Sequence, residues 1–415
     1  MTAPTTRPTY AAVLRTPHTP RTFTAALVAR LSYGMVALAV MLAVSDATGS
    51  YAAAGIVVAL FGAASVFLSP ARASLVDRYG PRRALVPMAS LYAALLGTLA
   101  AVSWRPGAPV PLLAAVAVAA GACTPPLGPT MRAVWGELVT DRRLLQRAYS
   151  LDGVAEELLF VSGPLLVGLV VGFAPPAAAV ALSALLVGLG TAAFVTSPVV
   201  KGVTVHAAPA GKRTRLGRGL VQPVLAAAGV GLALGAVDLL VLAFAEQGHH
   251  GEHTVAWVLA ALSAGSAVGG LLNGAVDWRV PARLRLPLLA VGLALALGAA
   301  GLAPGLVTLS AAVAVAGLFV APALTTAYLL ADESAPPGAR VRAGTWVNTA
   351  VNAGSSAGAA TVGLLVGRLP LAACFAVSGA MALVTVLAPW HGGHGGHDKA
   401  ASPDTQAGEA AELVK

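Results

Sequence analysis

Asp77-Arg78-Tyr79-Gly80-Pro81-Arg82-Arg83 is a short basic turn between two long apolar runs, and it returns 200 residues later as Asp277-Trp278-Arg279-Val280-Pro281-Ala282-Arg283. The aspartate, the proline and the last arginine recur in step, and each copy leads into another apolar run. A charged hinge at matching points of two halves marks a duplicated chain. The flanking runs say what is duplicated. The 415 residues are 57% hydrophobic and 10% charged, where soluble chains carry about 25% charged residues. The apolar residues come as blocks of Ala, Leu, Val and Gly, and about 20 of them in a helix cross a hydrocarbon core of about 30 Å. Backbone groups in lipid must be satisfied internally, and the alternating ten-residue segments of a β-barrel are absent. The expected fold is an all-α membrane protein.

Twelve spans are expected, at about 22–44, 51–69, 84–103, 109–131, 148–173, 176–197, 219–245, 254–276, 286–303, 305–330, 343–367 and 370–390. Ala174-Pro175-Pro176 and Pro304-Gly305 mark tight hairpins. With the N-terminus inside, all 26 basic residues except Arg30, Arg105 and Arg368 fall in segments on one side. The positive-inside rule then puts both termini in the cytosol of a multi-pass cell-membrane protein. Residues 1–21 form a cytosolic tail, 22–197 a first six-helix bundle, 198–218 a basic linker, 219–390 a second bundle and 391–415 a low-complexity tail. The topology also accounts for the net charge of +9, so nucleic acid is not expected as a partner.

Cys123 and Cys374 lie far apart within apolar runs and read as small buried hydrophobes. The tail histidines His391, His394 and His397, and His249, His250 and His253 with Glu252, have metal-like content but no supporting scaffold. Neither metal nor cofactor is expected. No Walker loop, nucleophile elbow or HExxH is present, which disfavours ATP-driven transport and hydrolysis. An enzyme is not expected.

Two six-span halves, an internal central loop and the Asp77–Arg83 turn after the second span resemble the major facilitator superfamily over about residues 22–390. The turn is similar to that family's motif A, glycine-x-x-x-Asp-Arg-x-Gly-Arg-Arg, with Ala73 at the leading glycine and Pro81 inserted. The resemblance implies two pseudo-symmetric six-helix bundles with substrate bound between them near the midplane. It also implies that Asp77 latches span two to span eleven when the cavity faces outward. Asp77 is placed to accept hydrogen bonds from arginines, such as Arg340 and Arg342, or from the first amides of a helix. Arg78, Gly80, Arg82 and Arg83, and in the second copy Asp277 and Arg283, complete the gate candidates.

Carboxyl groups within a membrane helix are costly and default to function. Asp152, Glu156 and Glu157 open span five. Asp152 lies about 8 Å past Arg147 and is expected near the gate, while Glu156 lies about 13 Å in. Arg30 of span one reaches about the same depth, so an Arg30–Glu156 or Arg30–Glu157 pair is expected to offset the burial of both charges. One of these glutamates is the expected proton-coupling site, because burial disfavours its charged form and Arg30 favours it. Further along, Gly163-Pro164 and Gly168 resemble motif C of proton-coupled exporters, glycine-x-x-x-Gly-Pro-x-x-Gly-Gly, with Leu159 and Val167 at two glycine positions. A Gly-Pro pair kinks a helix and admits a close neighbour.

In the second half Asp238 lies well inside span seven, about 12 Å from Glu246. Tyr33, Asn273, Tyr328, Asn348 and Asn352 are candidate substrate contacts, with interhelical bonding as the alternative for each asparagine. The expected function is alternating-access secondary transport by a monomer in the bilayer, with proton-coupled efflux of a small, largely apolar compound. That substrate class follows from cavity-side spans with few charges. The alternatives are a metabolite or sugar uptake symporter, or a transport-inactive receptor on the same fold.

Overall fold

The computed structural model describes residues 9–139, 141–202, 217–248, 252–336 and 338–391, with 218, 252–253 and 388–391 described through the backbone alone. The histidine clusters and most of the basic linker therefore lie outside the described residues or side chains. The chain is helical nearly throughout. In order come α1 (Tyr10–Arg15), α2 (Thr19–Thr48), α3 (Tyr51–Phe67), α4 (Ser69–Tyr79), α5 (Pro81–Val102), α6 (Val110–Cys123), α7 (Leu127–Leu138) and α8 (Arg142–Val171). There follow α9 (Pro176–Val195), α10 (Pro198–Gly202), α11 (Val221–Gln247), α12 (Glu252–Ala275), α13 (Ala282–Gly301), α14 (Leu306–Ser334), α15 (Arg340–Leu365) and α16 (Leu371–His391).

Among the described residues nine helices are long and apolar enough to cross a membrane, ten if the bent pair α3–α4 is one span. α15 and the shorter apolar stretch Leu371–Leu387 of α16 occupy the two remaining expected places. One expected span is broken, and span two, expected to end near residue 69, continues past a bend as α4. α3 and α4 meet at a bend of 43°, and the run expected as continuous over 109–131 stops at Cys123 and restarts at Leu127. The cause is Pro125-Pro126, which cannot donate to the helix ladder. Helix ends elsewhere follow local chemistry. Ser50 Oγ accepts from the amide of Ala53 at 3.2 Å to start α3, and Asp141 Oδ1 accepts from Leu144 at 2.8 Å to start α8. Gly80 separates α4 from α5 at φ 83°, a left-handed conformation that favours glycine, and Pro81 follows as the first residue of α5.

The helices form two bundles, α2–α9 and α11–α16, each packed mainly within itself. Small residues let corresponding helices touch in both. A Cβ on Gly34 of α2 would stand 2.3 Å from the carbonyl oxygen of Leu159, and one on Gly163 would stand 2.4 Å from Gly34. In the second bundle Gly231 and Gly235 of α11 lie against α15, and Gly354 and Gly358 of α15 lie against α11. Close backbone approach at small residues is how helices associate where lipid offers no hydrophobic drive. Between the bundles α8 packs on α12 and α14, and α15 packs on α4 and α7.

Candidate functional site

A cavity of about 570 Å³ lies between the two bundles, a size suited to a small organic molecule. Val36, Phe61, Leu234, Leu262, Leu324 and Val351 make up much of its apolar wall. Its charged groups come from the first bundle: Arg30 on α2, Arg72 on α4, Arg132 on α7, and Glu156 and Glu157 on α8. The expectation of a sparsely charged cavity is therefore corrected. Hydrophobicity along the spans does not reveal which way their few charges point.

Arg30, Arg132, Asp152 and Glu156 form a closed quartet. Arg30 reaches Asp152 at 2.7 Å and Glu156 at 3.0 Å, while Arg132 reaches Asp152 at 3.0 Å and also pairs with Glu156. Arg30 is 2% exposed, Arg132 5%, Asp152 0% and Glu156 28%. Two cations and two anions cancel formally, which is how such burial becomes tolerable. The expected Arg30–Glu156 pair is present, but the Arg30–Glu157 alternative is not. Asp152, expected near the gate, is instead fully buried at the centre of the quartet. The depth argument placed it along the helix but could not give its azimuth, and one turn separates it from Glu156 on the same face.

Arg132 is the residue that sequence reasoning missed, since it was assigned to a basic loop. The unread signal was Pro125-Pro126, which starts a new helix only six positions earlier and carries Arg132 back inside. Arg72, Arg147 and Arg285, assigned to the same loops, are buried as well. Tyr149 Oη donates to the Arg132 carbonyl at 3.0 Å. Tyr328 of α14 lies under the Arg132 guanidinium, 3.8 Å from its ring centroid, so an expected second-bundle residue meets the quartet by a cation–π contact.

Glu157, next to Glu156 on α8, faces the other bundle, and Ser266 of α12 donates to its Oε1 at 3.0 Å. Asn348 and Asn352 line the cavity from α15, with Asn352 Nδ2 donating to the Asn348 carbonyl at 3.0 Å. Tyr33 lines it from α2 and donates to the Pro125 carbonyl at 2.5 Å. Asp238 is exposed on α11, one turn beyond the cavity-lining Leu234. Asn273 takes the interhelical alternative and lies outside the cavity lining. Its side-chain Nδ2 donates to Ser150 Oγ at 3.4 Å, and its backbone carbonyl accepts from Gln146 at 2.6 Å and Trp278 at 3.1 Å. Gly163 makes the close approach expected of it and Pro164 lies inside a continuous α8, but nothing lies within 4 Å of a Cβ on Gly168.

Polar contacts between the bundles gather at the hinge end. Asp77 accepts from the amides of Val341 at 3.1 Å and Arg342 at 2.9 Å, at the start of α15, whose own N-cap Ala339 has no side-chain acceptor. Asp277, the second copy, pairs with Arg147 of α8 at 3.1 Å. Arg340 pairs with Glu137 at 3.3 Å, and Arg142 with Glu333 at 2.6 Å. Arg78, Arg82, Arg83 and Arg283 are exposed around the two turns.

This arrangement, with bundles joined at the hinges over a central cavity, coincides with the family comparison. The sequence profile of the Major Facilitator Superfamily matches residues 22–245. The chain belongs to the major facilitator superfamily, and it is a multi-pass membrane transporter. No curated protein matches it by sequence. Among solved structures, the human organic anion transporter MFSD10 (TETRAN) has a TM-score of 0.70 at 14% identity, covering 92% of this chain and 100% of that one. A bacterial homologue of the iron transporter ferroportin, in an outward-facing state, scores 0.66 at 12% identity over 89% and 96%. The proton:xylose symporter XylE scores 0.66 at 12% over 92% and 96%. At these identities the likeness concerns the fold.

Proposed function

We propose that this transporter works by alternating access and couples a small, largely apolar compound to protons, with Glu157 as the carboxylate that takes up and releases the proton. The observation that carries this reading is the partner of Glu157. Asp152 and Glu156 are neutralised by two guanidiniums of their own bundle, whereas Glu157 meets a hydroxyl of the opposite bundle. Protonating Glu156 would strand part of a buried cation pair, which is costly. Protonating Glu157 strands nothing, and its contact with Ser266 is remade each time the bundles rock. In this reading the basic loops put the hinges and both termini on the cytosolic side of the cell membrane. The hinge contacts then close that side, and the cavity faces outward.

Export is the direction to which the Gly163-Pro164 pair and its resemblance to motif C point. Proton-coupled uptake is the second reading. It is favoured by the additional arginine in the cavity, Arg72, because an anionic group there and a proton on Glu157 stabilise each other. Purified protein in liposomes containing a pH-sensitive dye tests both. A substrate-dependent pH change is expected for the wild type and its loss is expected in Glu157→Gln with binding retained. Unchanged proton movement in that variant removes Glu157 from the mechanism, and the sign of the wild-type change decides between export and uptake.

A further inference from the structure

We propose that the cavity carries an anion subsite at Arg72 and that the transported compound is an apolar molecule bearing one anionic group of the carboxylate type. The inference rests on the reading of the cavity as the transport site. Arg72 lines the cavity and is 6% exposed. Among the described residues it makes no ion pair. Its Nη1 donates to the carbonyls of Gly121 at 2.6 Å and Ala122 at 3.0 Å, and its Nη2 to that of Ser65 at 2.5 Å, while its Nε is buried without a partner.

Those three carbonyls sit where α3 and α6 break off, so Arg72 also ties the two discontinuities together. Carbonyl dipoles at helix ends solvate a cation and fix its position. They do not cancel its charge. The four members of the quartet cancel one another, which leaves Arg72 and Glu157 as the unbalanced charged groups on the cavity wall. With a proton on Glu157 the cavity carries a formal charge of +1; without it, the cavity is neutral. A single anionic group completes the first state, while the apolar wall takes the rest of the molecule. Anion and proton then favour each other's binding and move together, which is the coupling that the second reading, proton-coupled uptake, describes.

The test uses the full-length chain in detergent micelles at low salt and three probes of one shape: 1-naphthoate, neutral 1-naphthamide and cationic 1-naphthylmethylammonium. Naphthoate is expected to bind about tenfold tighter than the amide, as for a charge-assisted hydrogen bond, and the ammonium weakest. Arg72→Gln should erase that preference and Arg72→Lys should keep most of it. If Arg72→Gln does not fold, Glu157→Gln provides the decisive variant because it leaves the Arg72 carbonyl contacts intact. It should tighten naphthoate about threefold through removal of a nearby negative charge and leave the amide unchanged. Equal affinities across the three probes, no binding by any of them, a preference that survives in folded Arg72→Gln, or an unchanged naphthoate affinity in Glu157→Gln overturns the proposal. Flux in liposomes separates it from the functional reading beneath it. Naphthoate bound through Arg72 but never transported sinks transport through this cavity and leaves the subsite. Flux of neutral compounds without anion preference does the opposite.

Discussion

Within the membrane α8 carries Asp152, Glu156 and Glu157, whereas α15, which holds the corresponding place in the second bundle, carries Asn348 and Asn352 and no charge beyond its first turn. Both helices pack closely on the first helix of their own bundle through glycines. The scaffold is thus repeated and the chemistry is not. The physical reason lies in the partners. Buried charges are least costly beside opposite charges of the same bundle, and Arg30 and Arg132 belong to the same bundle as Asp152 and Glu156. The quartet is held within one bundle, so a movement of the bundles relative to each other would leave its four charges paired. Amides, hydroxyls and an aromatic ring, which cost less to uncover, suffice on the other side.

The largest expected effect tests that contrast directly. Asp152→Asn leaves two buried guanidiniums sharing one carboxylate and should cost about 3–5 kcal/mol, read as a large fall in thermal unfolding temperature in detergent. Asn352→Ala on α15 should change it by less than about 1 kcal/mol. Similar losses at the two positions would show that the bundles are not used differently. Next in size is Tyr328→Ala, which removes the ring beneath Arg132 and should cost about 1–2 kcal/mol. Tyr328→Phe keeps the ring face and should restore nearly all of it; a Phe variant as weak as Ala would assign the effect to the hydroxyl.

The two hinges offer a finer comparison. Asp77 binds backbone amides that no residue of α15 can satisfy, while Asp277 binds a side chain, Arg147, that also reaches the carbonyls of Arg143 at 3.2 Å and Ala275 at 3.4 Å. Asp77→Ala should therefore speed hydrogen exchange at the start of α15 about tenfold, the equivalent of losing a good cap. Asp277→Asn should produce only a few-fold change around α8 and α12. Equal or reversed effects would mean that the hinge copies do equal mechanical work. The smallest effect is expected at Arg142–Glu333, whose side chains are 68% and 41% exposed. Arg142→Ala should change stability by less than about 1 kcal/mol and should have no detectable effect at high salt.

Much of the fold was legible because bilayer thickness and the cost of bare backbone leave few choices for long apolar runs. The hinge repeat exposed the duplication, and each expected span falls on a helix or a pair of helices. Site residues were legible where scarcity made them conspicuous. Arg30 and Glu156 stood out as charges within apolar runs and do pair. Arg132 and Arg72 did not stand out, because each lies near the end of a run, where a basic residue is ordinarily topogenic. Glu157 and Glu156 are neighbours in sequence, and helical geometry alone sends them towards different surroundings. The sequence by itself determined a duplicated helical membrane protein with its charged hinges on one side, since composition, period and loop charge are local properties. Only the tertiary structure decided that Asp77 would cap α15, that Asp277 would meet Arg147, and that four charges would cancel while Arg72 and Glu157 would not. Those outcomes depend on helix breaks and rotations that bring distant residues within a few ångströms, and electrostatic interactions depend on that separation.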